Sequence, residues 1–315
     1  MSTPDDAQPR PHVASFIPEL VKAPVAEAVL SAVTPPGGSL NIFADASRER
    51  ESTGSAALGC FALDDRYAID FERALVEEKA RLGLAGREIK FAKRKSIRPD
   101  RLDSFMQCAL SFPSVLVVWV RRLDDAHGHR MRTAAAKYAG ERKRNALFIA
   151  ALYVDGFLGT AMLLSNRQQS MSLWPDRNSF PDHDDDLVRF STGYLGLALP
   201  TVATRLPAGL SLPSSRSISR AQGNDSLQEL GRSVSDLAAG ISAQYYSGGA
   251  QEGDHAAAAI HSALRRTSTV DDPPSAKPGT IHVGYRIASV PDGSGQESLK
   301  RFFFRPAGGM DSAST

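Results

Sequence analysis

The segment SVLVVWVRR, residues 114–122, restricts the fold more than any other stretch of the chain. It is an almost unbroken run of β-branched and aromatic residues, so as a strand it has no polar face to turn to water. Such a strand needs cover on both sides, and helices packed on the two faces of a sheet are the common source. The chain can supply that cover. It has 315 residues, 42% of them hydrophobic and 23% charged, an ordinary globular composition with enough apolar content for a sizeable core.

Reading outward from that strand predicts an α/β arrangement. SLNIFAD and GSAALGCFAL read as two strands joined by the polar turn ASREREST. The first is expected to end at Asp45. The apolar spacing of DFERALVEEKARLGL predicts an amphipathic helix over about 70–84, and PDRLDSFMQCALSF a second helix with Pro99 in its first turn. Further strands are expected in QQSMSLWPD and RSISRAQ, and further helices around DDLVRFSTGYLGLAL and through SLQELGRSVSDLAAGISAQYY. TIHVGYRIASV and SLKRFFFRP read as a C-terminal β-hairpin extension. The expected organisation is a mobile arm over 1–37 with one short helix in it, a main domain over 38–247, a Gly-, Ala-, Ser- and Pro-rich linker over 248–279, β extension over 280–306 and a disordered tail over 307–315.

The segment 145–165, NALFIAALYVDGFLGTAMLLS, is long and apolar enough to span a bilayer, but Asp155 at its centre is costly in lipid, so a buried helix is expected. Two cysteines, Cys60 and Cys108, make no CxxC pair and no disulfide framework, and the first residues lack the pattern of a signal peptide. A cytoplasmic protein without membrane attachment is the expectation. No P-loop, GxGxxG fingerprint or GxSxG elbow occurs, which removes local support for ATP, nicotinamide and serine-hydrolase chemistry. HGH at 127–129 and PDHDDD at 181–186 read as an exposed loop and as helix-capping acids.

Four acids stand at positions with chemical potential. Asp45 closes the first strand, Glu88 follows a helix in REIKF, Asp176 closes the strand SMSLWPD, and Asp236 lies inside the apolar helix SVSDLAAGI. Asp45 and Asp176 can also be read as turn residues, and Glu88 as a partner of Lys90 or Arg87. Asp236 is harder to read so, because a buried Asp in a helix costs free energy unless something uses it. Carboxylates converging from separate elements are what a pair of Mg²⁺ or Mn²⁺ ions needs, and two such ions about 4 Å apart split phosphodiesters.

The order of these residues resembles the family called domain of unknown function 3800 (DUF3800), over roughly residues 39–247. In that family the first strand ends in Asp-Glu-Ser-Gly and leads into a hairpin; here the equivalent is Asp45-Ala46-Ser47-Arg48, followed by GSAALGCFAL. Glu88-Ile89-Lys90-Phe91 is similar to its Glu-(apolar)-Lys segment, and Ser233 to Gly240 to its late helix containing Asp-Leu-x-Ala-Gly. Ala46 replaces the second acid of the family pattern, Arg48 the glycine, and the Leu-Gln and Ala before the last Asp are missing. The resemblance implies a ribonuclease H-like mixed central sheet flanked by helices. It implies metal-dependent nucleic-acid cleavage, with Asp45, Glu88, Asp176 and Asp236 as ligands of Mg²⁺ or Mn²⁺ and Lys90 at the scissile phosphate.

A nucleic-acid partner is also expected from charge. Formal net charge is only +2, yet residues 87–144 carry fifteen Lys or Arg against six Asp or Glu, densest in KFAKRKSIR and GERKRN. Cations beside a carboxylate site suit a polyanion, because phosphate contacts dominate its affinity. A solvated, solubilising surface is the competing reading of the same run. Two other functions stay open: a ribonuclease H-like binding or scaffold protein without catalysis, and a hydrolase of a smaller phosphoester.

Overall fold

The computed structural model describes residues 33, 39–48, 55–122, 170–176, 210–211, 223–248, 253–272, 279–289, 297–305 and 309–312, together with 152–153, 155–157, 159–160 and 163–164. The strands are β1 (Ser39–Arg48), β2 (Ser55–Asp64), β3 (Ser114–Arg122), β4 (Ser170–Pro175), β5 (Leu210–Ser211), β6 (Ser268–Thr269), β7 (Thr280–Ser289), β8 (Glu297–Arg305) and β9 (Gly309–Ser312). The helices are α1 (Asp65–Arg81), α2 (Pro99–Leu110), α3 (Leu227–Gly248) and α4 (His255–Arg265), with a 3₁₀ turn over Phe91–Ser96.

Among the described residues all nine strands form one mixed sheet in the order β5-β4-β1-β2-β3-β7-β8-β9, with β6 beside β7. β1 and β2 are antiparallel, as are β2 and β3, whereas β4 runs parallel to β1 and β7 parallel to β3. The strand that opened the sequence argument, β3, thus sits between β2 and β7, and its residues 114–121 are all buried. Its side chains split between two cores. Leu116, Val118 and Val120 pack with the face that carries α1 to α4, while Val115, Val117 and Trp119 pack with Leu152, Tyr153 and Phe157 on the other.

The 152–164 stretch explains how an apolar segment tolerates Asp155. Its described residues are helical and buried, and Asp155 meets the equally buried Arg121 at 2.9 Å. A buried carboxylate is sustained by such a partner, not by lipid. Among the described residues no helix is long and apolar enough to cross a membrane. Cys60 and Cys108 are both free.

Several boundaries differ from the sequence reading. β1 does not stop at Asp45 but continues to Arg48, because Asp45, Ala46, Ser47 and Arg48 keep pairing with Gly59, Leu58, Ala57 and Ala56. α1 starts at Asp65, five residues before the amphipathic pattern becomes clear, because the Asp64 carboxylate accepts the Arg66 N–H as an N-cap. The 248–279 stretch, read as a linker, holds α4, capped by Asp254, and β6. Its alanines, Ala256, Ala257 and Ala263, are buried, so a composition that resembles a linker is a tightly packed helix. β7 and β8 form the expected antiparallel pair, but β7 is joined to β3 inside the main sheet. In the N-terminal arm, Val33 is helical and buried. Within the stretch 307–315, read as a disordered tail, Gly309–Ser312 forms β9, because it pairs antiparallel with β8. The strand expected in RSISRAQ, the helix expected around DDLVRFSTGYLGLAL, HGH, PDHDDD, GERKRN and residues 307–308 and 313–315 lie outside the described residues.

Lys79, on α1, fixes the loop that carries Glu88 and Lys90. Its side chain is buried and its Nζ donates to Arg87 O at 2.9 Å and Asn224 O at 2.8 Å, besides pairing with Asp225. Replacing Lys79 by Ala leaves the Arg87 and Asn224 carbonyls without this donor and removes the Asp225 ion pair, although Asp225 keeps the Gly86 N–H. A loss of about 3 kcal/mol is expected, visible as a lower urea midpoint at unchanged slope.

Candidate functional site

The site forms where α3 crosses β1 and β2. Phe43 and Asp45 share one face of β1 with Gly59 of β2, and α3 lies on that face. The approach is close because small residues line it. A Cβ on Gly59 would stand 2.2 Å from Ser235 O, and one on Gly231 would stand 2.3 Å from the Phe43 ring. Ser235 Oγ donates to Phe43 O at 2.8 Å, tying the helix to the strand one residue before Asp236. Asp236 therefore faces the sheet beside Asp45.

β4 brings the third carboxylate. Asp176 follows the last residue of β4, and its N–H donates to Ala44 O at 2.9 Å, so the parallel ladder places Asp176 next to Asp45. The loop after α1 brings Glu88 and Lys90. Phe91 N–H donates to Asp236 Oδ2 at 2.5 Å, and the Phe91 ring lies against the bare Cα of Gly240. Asp45, Asp176 and Asp236 are 3%, 4% and 7% exposed, so all three carboxylates are withdrawn from water.

Lys90 joins them. Its Nζ donates to Asp176 Oδ2 at 2.8 Å and stands 3.5 Å from Asp45 Oδ2 and 3.7 Å from Glu88 Oε1. Glu88 also pairs with Lys93 at the surface. Two residues not singled out from the sequence complete the group. Arg232 Nη2 meets Glu229 Oε1 at 2.8 Å, and Arg232 Nη1 stands 3.9 Å from Asp176 Oδ1. Glu229, Arg232 and Asp236 recur at helical spacing, so one face of α3 carries all three; that spacing was the signal available in the sequence.

The electrostatics are those of crowded anions. Burial pushes the Asp45 carboxyl well above its usual range, the charges of Asp236 and Asp176 push it further, and Lys90 and the Ala46 amide only partly oppose them. Burial likewise raises Asp236 to about 6, against the pull of the Phe91 amide and Lys90. Glu229 is raised by burial, with Arg232 opposing. Burial acts to lower the Lys90 ammonium, but Asp45, Asp176 and Asp236 together hold it above its ordinary range. Asp45 Oδ2 is buried and accepts no hydrogen bond among the described residues.

This predicts a stability profile. Burial holds the folded-state Asp236 carboxyl up at about 6, above the ordinary 3.8 of an exposed aspartate. Between those values the folded state keeps a proton that the unfolded chain has lost, so stability falls as pH rises from about 4 to about 6 and stays lower at neutral pH. Asp236→Asn keeps an oxygen for the Phe91 N–H and removes the charge. Urea unfolding in EDTA across this window should show a flatter profile for the variant and higher stability at pH 7.

The donor chemistry suits a hard divalent cation: carboxylate oxygens from β1, the end of β4 and α3, with one buried oxygen, Asp45 Oδ2, that accepts no hydrogen bond among the described residues. Asp45, Asp176 and Asp236 would hold it, with Glu88 and Glu229 on the rim. As they stand, the carboxylates are arranged around an ammonium, and among the described residues no group of three or more His, Cys, Asp or Glu is set to hold a metal ion.

The basic run is partly consumed by structure. Arg94 meets Asp254 at 2.7 Å and lies over the Phe91 ring, Arg98 meets Asp100 at 2.9 Å, and Arg121 is the buried partner of Asp155. Arg87, Lys93 and Lys95 are exposed, Lys93 as the partner of Glu88. No protein-family model, curated protein or solved structure matches the chain.

Proposed function

We propose that the protein is a metal-dependent phosphodiesterase acting on nucleic acid, with a ribonuclease H-like domain. The supporting observation is the meeting of Asp45, Asp176 and Asp236, which come from β1, the end of β4 and the middle of α3, in a buried anionic cluster. A leading β-hairpin in a mixed sheet with helices on both faces agrees with that domain class. In this reading Asp45, Asp176 and Asp236 hold Mg²⁺ or Mn²⁺, Glu88 completes the rim, and Lys90 faces the phosphate. The bound ions supply an activated water and stabilise the leaving oxygen. Exposed Arg87, Lys93 and Lys95 supply contacts to a DNA or RNA backbone.

The test is cleavage of end-labelled single- and double-stranded DNA and RNA with MgCl₂ or MnCl₂. Cleavage is expected with the parent protein and not with Asp45→Asn; cutting that persists undiminished in the variant sinks the proposal. A second reading, a binding or scaffold protein without catalysis, is favoured by the ion pairs of Lys90 with Asp45, Glu88 and Asp176, which supply a permanent counter-ion. Stable nucleic-acid binding without metal-dependent cleavage would support it.

A further inference from the structure

We infer that Lys90 is a tethered place-holder for the cation: its ammonium occupies the position between Asp45, Glu88 and Asp176 that a divalent ion takes, and swings out when the ion enters. The inference rests on the metal-site reading above and adds how that site is kept intact without metal.

Three observations carry it. The Lys90 Nζ lies 2.8 Å from Asp176, 3.5 Å from Asp45 and 3.7 Å from Glu88, so one positive charge is shared by carboxylates from three elements. It serves them incompletely, since Asp45 Oδ2 still accepts no hydrogen bond among the described residues. A monovalent ammonium with three donors cannot satisfy lone pairs that a divalent ion would fill. The backbone, by contrast, is fixed on both sides. Ile89 is buried in the core, and Phe91 is held by the Asp236 carboxylate and by its ring against Gly240. Exchange therefore needs only the side chain to move. That side chain is 20% exposed while those of Asp45 and Asp176 are 4% and 5% exposed, so the cation has a way out and the ligands stay. Lysine suits the task, being a compact, flexible and strongly hydrated charge. Swung outward, it lies on the solvent side of the ion, where a phosphate of the substrate would arrive.

Two measurements test this. The first is an MnCl₂ titration of the parent and Lys90→Met, read as melting temperature. The variant should melt lower in EDTA, gain more on saturation, and reach half-saturation at a concentration at least about tenfold lower, because no ammonium opposes the incoming charge. Equal or weaker Mn²⁺ binding by the variant overturns the inference. The second uses the parent alone, so it holds even if Lys90→Met fails to fold. Acetylation of Lys90 by an N-hydroxysuccinimide ester, followed by peptide mass spectrometry, should be slow in EDTA and several-fold faster in saturating MnCl₂. Mn²⁺ binding with unchanged or slower acetylation overturns the place-holder role and leaves the metal site standing. No Mn²⁺ binding by either protein removes both. Binding by the variant alone supports the inference in its strongest form.

Discussion

Asp45→Asn is expected to lose at least about a thousandfold of Mg²⁺- or Mn²⁺-dependent cleavage and, in EDTA, to melt a few degrees higher than the parent. The two effects share one cause. Asp45 is the most constrained of the carboxylates: it sits within β1, it is 3% exposed, and burial together with Asp236 and Asp176 disfavours its charge. Removing the charge relieves repulsion that nothing else fully offsets, on the order of 1 kcal/mol in the metal-free protein. Mn²⁺ should accordingly raise the melting temperature of the parent and leave that of the variant nearly unchanged. If Asp45→Asn instead melts lower in EDTA, the Asp45 charge is needed by Lys90 as a structural ion pair, and the non-catalytic reading gains.

Gly59→Ala should have the largest effect on stability of any single-methyl change in the site. The added Cβ would stand 2.2 Å from Ser235 O, 2.8 Å from its carbonyl carbon and 2.9 Å from its Cα, all backbone atoms of α3. No rotamer change can relieve backbone contacts, so α3 must move off β2. The cost is about 3 kcal/mol, at the upper end for overpacking. Because Asp236 follows Ser235 and Asp45 pairs with Gly59, that movement also separates two carboxylates of the site. Calorimetry should show a clear drop in melting temperature. Cleavage per folded molecule, and the Mn²⁺-induced rise in melting temperature, should fall as well. Full Mn²⁺ stabilisation in a destabilised variant would show that the spacing of Asp45 and Asp236 is not set by this contact.

The unbroken apolar run of β3 and the apolar spacing of α1 and α2 were legible in the sequence because burial on both faces of a strand, or on one face of a helix, dictates which neighbouring residues are apolar. The same logic failed for α4, where buried alanines imitate a linker: small side chains pack helices closely and carry no periodic signal. It also misplaced the end of β1, since strand pairing with β2, not hydrophobicity, carries the strand past Asp45 to Arg48.

By itself the sequence indicated the α/β class and most of the described strands and helices, and singled out Asp45, Glu88, Asp176 and Asp236 as acids at element ends or inside an apolar helix. The tertiary structure decided which of those charges meet. Arg232 and Glu229 joined the cluster, while Arg94, Arg98 and Arg121, which by composition belonged to a basic surface, were given to Asp254, Asp100 and Asp155. The physical reason is range. Hydrophobic periodicity is written into adjacent residues, whereas the energy of a charge depends on burial and on partners within a few ångströms, brought from distant parts of the chain by the packing of α3 against β1 and β2.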